Sequence, residues 1–142
     1  MSRRSLLSRW ARLGRRRQAL LAEAVLAVAA ASAAIRLRAF KRAIRMGSLP
    51  LTGRPADGDI TDDVRWAVET AARNVPWRAM CIQEGLALQW MLRRRGVDAR
   101  LHYGIAKDEV GELQAHVWVA AGGSVVIGGA EAPRFKCVAI YP

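Results

Sequence analysis

Apolar positions recur at helical spacing through the first two thirds of the chain and at strand spacing through the last third. Leu6, Leu7, Trp10 and Leu13 fall on one helical face of an Arg-rich segment over residues 1–17. Ala19 to Ile35 is an Ala-rich apolar run, interrupted by Glu23 and Ser32, with high helix propensity. Arg36 to Arg45 continue it with a basic face, and Gly47, Pro50, Gly53, Pro55 and Gly58 then mark a linker. Thr61 reads as an N-cap followed by Asp62 and Asp63, and Val64, Ala67, Val68 and Ala71 form a stripe that ends near Asn74, before Pro76. The next helix is predicted from Ala79 to Arg95. Gly96 is its left-handed stop, and Arg93, Arg94 and Arg95 suit the negative end of its dipole.

Beyond Gly96 the period shortens to that of strands. Ala99 to Ala106 is a first strand, Lys107 to Gln114 a polar connection, and His116 to Ala121 a second strand. Gly122-Gly123 turns the chain into Ser124 to Ile127, and a fourth strand is predicted over Lys136 to Tyr141. The pattern predicts an α+β fold with N-terminal helices, a Cys-bearing helix and a small antiparallel sheet. We divide it into a basic helical arm over 1–47, a linker over 48–60 and a core over 61–142.

Charge sharpens that division. The formal net charge is +11, and residues 1–45 hold twelve Arg or Lys against one acid, Glu23, so the rest of the chain is balanced. A uniformly basic protein would suggest nucleic acid; a basic amphipathic arm on a neutral core suits an anionic surface, whether lipid headgroups, an acidic protein or nucleic acid, and of these we assign no nucleic-acid partner. The Ala-rich run falls short of the ~20 strongly apolar residues of a bilayer span and carries a carboxylate, so we read it as a helix packed on the domain or on a partner. Two distant cysteines and no secretory leader point to the cytoplasm, with peripheral contact at the inner face of the membrane through the arm.

The candidate chemistry is a thiol and an imidazole. Cys81 stands near the start of the second core helix, where backbone N–H groups favour a thiolate, and shares a face with Gly85, Leu88 and Leu92. The same position suits an inert buried cysteine. Gly85 lets a strand come close to that face. His116 opens the strand Val117-Trp118-Val119, and alternation puts His116 and Trp118 on one face. If that face meets the Cys81 helix, Trp118 helps to exclude water. His102 is a secondary candidate base, and Cys137, with no histidine close in sequence, reads as a packing residue. No CxxC, HExxH or phosphate loop is present, so no metal or cofactor is assigned.

The order of helix-borne Cys and hairpin-borne His in an AHxWV setting resembles the transglutaminase-like branch of papain-type folds. More narrowly, Trp77-Arg78-Ala79-Met80-Cys81, Leu92-Arg93-Arg94-Arg95-Gly96-Val97, Tyr103-Gly104-Ile105 and Ala115-His116-Val117-Trp118-Val119 resemble the protease half of the lasso-peptide biosynthesis B protein. The resemblance implies a cysteine peptidase that removes the leader from a precursor peptide, working with a leader-recognition protein and a lasso cyclase. It implies Cys81 as nucleophile and His116 as base. That family places an Asp twelve positions after the His, and here the slot is Gly128. Ser124 or Glu131 is available as a substitute orienting group, or the site works as a Cys–His dyad. The rival class is a non-catalytic basic adaptor for a membrane surface or nucleic acid, with Cys81 and His116 structural. Acyl transfer on the same fold is a third possibility.

Overall fold

Alanine dominates the helix contacts, and it sets how closely the helices pack. The computed structural model describes residues 3–37, 40–48 and 60–142. Its helices are α1 (Arg3–Ala11), α2 (Arg15–Leu37), α3 (Phe40–Gly47), α4 (Ile60–Asn74) and α5 (Cys81–Arg93). Strands β1 (Arg100–Lys107), β2 (Leu113–Ala121), β3 (Ser124–Ile127) and β4 (Lys136–Tyr141) follow, with a short 3-10 turn at Ala132–Arg134. The linker assigned to 48–60 lies, from 49 to 59, outside the described residues.

Ala24, Ala27 and Val28 of α2 meet Val64, Ala67, Val68 and Ala71 of α4 and Leu88, Met91 and Leu92 of α5 in one core. Half of the arm read as separate is therefore core, because its small residues let α2 lie against both neighbours. The helix is also longer than its apolar run suggested. At 23 residues it is long and apolar enough, by length and composition, to cross a membrane. Thr61 lies inside α4, which starts at Ile60, so it is not the cap expected of it.

The four strands form one antiparallel sheet in the order β3-β2-β1-β4. Gly122 and Gly123 both take positive φ and join β2 to β3 tightly. The polar connection is shorter than read: β2 begins at Leu113, and Asp108 closes the preceding turn by accepting from the N–H groups of Val110 and Glu112. Gly96, at φ 76°, ends α5 as expected.

The arginine triplet after α5 does more than complement a dipole. Arg95 does donate to the Met91 carbonyl at 3.0 Å, but its guanidinium also grips both oxygens of Glu23, at 2.9 and 2.5 Å. Arg94 adds a third bond to Glu23 at 3.0 Å. Arg93 is buried and bonded to Asp98 at 3.1 Å. The one acid of the basic segment thus ties α2 to the end of α5, and the Arg95 hydrogen bond holds its carboxyl below the ordinary value, against the opposing effect of burial.

A depressed carboxyl stabilises the fold fully above its ordinary value of 4.5, and that contribution is lost as pH falls through the lower folded value. Glu23→Gln should therefore cost about 2 kcal/mol near neutrality. The gap from wild type should close under acid conditions, as read by urea unfolding across pH.

Candidate active site

Cys81 is the first residue of α5 because the chain before it is extended: Met80 has φ −99° and ψ 169°. The Met80 carbonyl accepts from the N–H groups of Gln83 and Glu84, at 3.0 and 3.1 Å. The Gln83 side-chain oxygen in turn accepts the Met80 N–H. This reciprocal pair pins the first turn and leaves the Cys81 and Ile82 N–H groups at the open, positive end of the helix, where no helical carbonyl reaches them. Cys81 is half-buried and packs on the core, on the face of buried Gly85, Leu88 and Leu92. Gln83 carries no signal in the sequence beyond its position three residues after Met80. Glu84, in the same turn, faces Glu69 and Arg73 of α4; burial, then Glu69, pushes its carboxyl up.

Gly85 brings the sheet onto α5. A Cβ there would lie 2.9 Å from Val117, 3.4 Å from Leu101 and 3.6 Å from Val119, so β1 and β2 sit almost on the helix backbone. One turn further along α5, Gln89 donates to the carbonyls of Ala99 and Tyr141, at the end of the sheet where β2 finishes. Movement along α5 from Gly85 to Gln89 therefore follows β2 toward its C-terminal end. The opposite step, from Gly85 back to Cys81, leads toward Ala115 and His116. Cys81 therefore lies toward the half of β2 that holds His116, whose partner across the sheet is Gly104 near the middle of β1.

They are not on one face. Val117 and Val119 point at α5, so alternation turns His116 and Trp118 to the other side. There the His116 ring lies 5.0 Å from Phe135 and 6.1 Å from Trp118, and Trp118 covers Gly104. Among the described residues no hydrogen bond joins Cys81 to His116. The expectation that the His116 face meets the Cys81 helix is corrected by this register: the β-branched residues, not the aromatic ones, fill the close approach.

His116 Nε2 lies 2.9 Å from the Gly128 carbonyl oxygen. A carbonyl only accepts, so Nε2 carries the hydrogen and Nδ1 is left as the basic nitrogen of the neutral ring. The backbone at 128 thus takes the place of the missing carboxylate. It does so at φ 76°, where a Cβ would lie 2.7 Å from the Val117 carbonyl oxygen. Glu131 does not orient the imidazole, because its carboxylate is exposed and held by Arg134 at 2.7 Å. Ser124 pairs with Ala121, at the far end of β2 from His116.

Cys137 has a neighbour that sequence alone did not show. A register shift between Tyr103 and Gly104 sets Cys137 opposite Gly104, and its sulfur lies 3.8 Å from His102 Nδ1. His102 stacks on Trp118 at 5.5 Å, and burial, then Arg100, lowers its pKa. Among the described residues no group of three or more His, Cys, Asp or Glu gathers to hold a metal.

Restoring the carboxylate should fail. Gly128→Asp puts a side chain at positive φ and against a backbone oxygen, so it should destabilise the fold by about 2 kcal/mol or more. Glu131→Gln should leave stability and any hydrolytic activity near wild type. Thermal unfolding and single-turnover assays of both variants check this, and improved activity in Gly128→Asp would contradict it.

Neither the curated proteins nor the solved structures include a match to the chain. A family model described as Transglutaminase-like superfamily matches residues 24–139. That span runs from α2 through β4 and includes Cys81, the sheet, His116 and Gly128. The superfamily commonly comprises cysteine-dependent enzymes, cysteine peptidases among them. Matched from within α2 to within β4, the chain belongs to the transglutaminase-like superfamily.

Proposed function

We propose that this chain is a cysteine peptidase that removes the leader from a lasso-peptide precursor. The observation that carries the reading is the placement of Cys81 at the open start of α5, in a chain whose sheet also holds a histidine oriented by the Gly128 carbonyl. The AHxWV and Leu-Arg-Arg-Arg-Gly signatures support the finer substrate assignment.

In this mechanism the Cys81 sulfur attacks the carbonyl at the leader–core junction, and its proton passes to His116 Nδ1. The oxyanion forms beside the Cys81 N–H, which has no helical acceptor. His116 then gives the proton to the departing amine, which becomes the N-terminus of the core peptide. The leader stays on sulfur as a thioester. His116 next takes a proton from water, hydroxide adds to the thioester, and the thiolate leaves and is reprotonated. Because the Cys81 sulfur and the His116 ring lie on opposite faces of the sheet, proton transfer between them requires a rearrangement on substrate binding that brings the His116 ring to the α5 side. A leader-recognition protein presents the precursor, and a cyclase takes the freed core.

One observation favours the rival reading of a non-catalytic adaptor: the His116 ring is turned to the face of the sheet away from α5. Precursor processing by purified protein, with its recognition partner, separates the two. Cys81→Ala and His116→Ala should each slow leader removal by ~10³-fold or more, while Cys137→Ala stays near wild type. Processing by Cys81→Ala at the wild-type rate would establish the adaptor.

A further inference from the structure

We infer that the outward face of α2, together with α1, rests in the plane of an anionic lipid surface. Helix α2 is apolar on both sides. Its inner face, through Leu20, Ala24, Ala27 and Val28, is buried in the core. Its outer face repeats at helical spacing through Ala22, Leu26, Ala30, Ala33 and Leu37, and all five are exposed, Leu26 at 69% and Leu37 at 82%. A helix apolar all round belongs either in a protein core or in lipid, and α2 meets protein on one side only.

The inner face also decides against a span. Glu23 is bound to Arg94 and Arg95, and the α4 and α5 contacts would be lost if α2 crossed a bilayer. The geometry that keeps them lays α2 flat, with its outer stripe in the boundary between headgroups and acyl chains.

Charge selects the surface. The stripe is bracketed by Arg12 and Arg15 at one end and Arg36 at the other, while Arg16 pairs with Asp63 and Arg17 lies over the Trp66 ring of α4. Lys41, Arg42 and Arg45 of α3 are exposed in the same basic segment. Preceding α2, α1 adds no residue to the core and exposes Leu6, Leu7 and Trp10 beside Arg9 and Arg12. Bases that flank an apolar stripe reach phosphate headgroups while leucine and tryptophan enter the boundary. An apolar-lined cleft of about 310 Å³ between Ala29, Ala33, Leu37 and Trp77 continues the stripe toward the segment that leads to Cys81. The inference stands independently of the chemistry at Cys81.

Sedimentation of the full chain with vesicles tests it. The wild type should bind vesicles made of phosphatidylglycerol and phosphatidylcholine in equal parts, release them as salt rises, and ignore phosphatidylcholine alone. Leu26→Glu with Leu37→Glu should weaken binding by ~10-fold or more, with thermal unfolding unchanged because both side chains are exposed. Leu7→Ser with Trp10→Ser, on a helix outside the core, should weaken it as well. Wild-type protein that leaves anionic vesicles unbound would overturn the inference and mark the face as a protein interface. Equal binding by both sets of variants would overturn it too.

Discussion

The absence of a side chain at Gly85 is the constraint on which the molecule depends. With a Cβ only 2.9 Å from Val117, any other residue would push β2 off α5. That contact fixes the height at which strand and helix meet, and everything at the site follows from height. It sets Gln89 beside the end of the sheet where β2 finishes, where it bonds to the carbonyls of Ala99 and Tyr141, and leaves Cys81 one turn back from the contact at Gly85. The ion pairs at the end of α5 fix its remaining freedom: Glu23 holds Arg94 and Arg95, so α2 cannot slide along α5 without breaking charge-assisted bonds.

Within that frame the histidine is oriented by a backbone carbonyl in place of a carboxylate. A carbonyl fixes the ring and its tautomer as well as an acid does, but it brings a dipole and not a full negative charge. A thiol nucleophile needs less such help than a hydroxyl, so the proposed dyad of Cys81 and His116 does not depend on an acid at position 128. Gly128 is locked in that role, because its positive φ and the Val117 oxygen at 2.7 Å admit no larger residue without rearrangement.

Most elements were legible in the sequence, since periodicity reports burial directly. The stripe of Val64, Ala67, Val68 and Ala71 became the buried face of α4, and Gly122-Gly123 became the hairpin turn. What was hidden depends on pairing between strands. The side of the sheet on which His116 lies is decided by which residues meet Gly85, and alternation alone leaves two answers. The Cys137–His102 contact needs the register shift at Tyr103/Gly104, and nothing local to either residue encodes it. The carbonyl of Gly128 was invisible for a different reason: a search for an orienting acid looks at side chains, and the group that serves is backbone. The charge count isolated Glu23, but only the fold showed that Arg94 and Arg95 were its partners.

The central claim is that position at the helix start, and not accessibility, makes Cys81 the reactive thiol. The two cysteines allow a direct comparison, because Cys137 is exposed and Cys81 only half-buried. Brief alkylation of the folded protein with limiting iodoacetamide at neutral pH, followed by peptide mass spectrometry, reads both sites at once. The account predicts that Cys81 is modified first, and at the same rate in His116→Ala, because the ring faces away from α5 in the free protein. Modification that follows exposure, with Cys137 first, would contradict it.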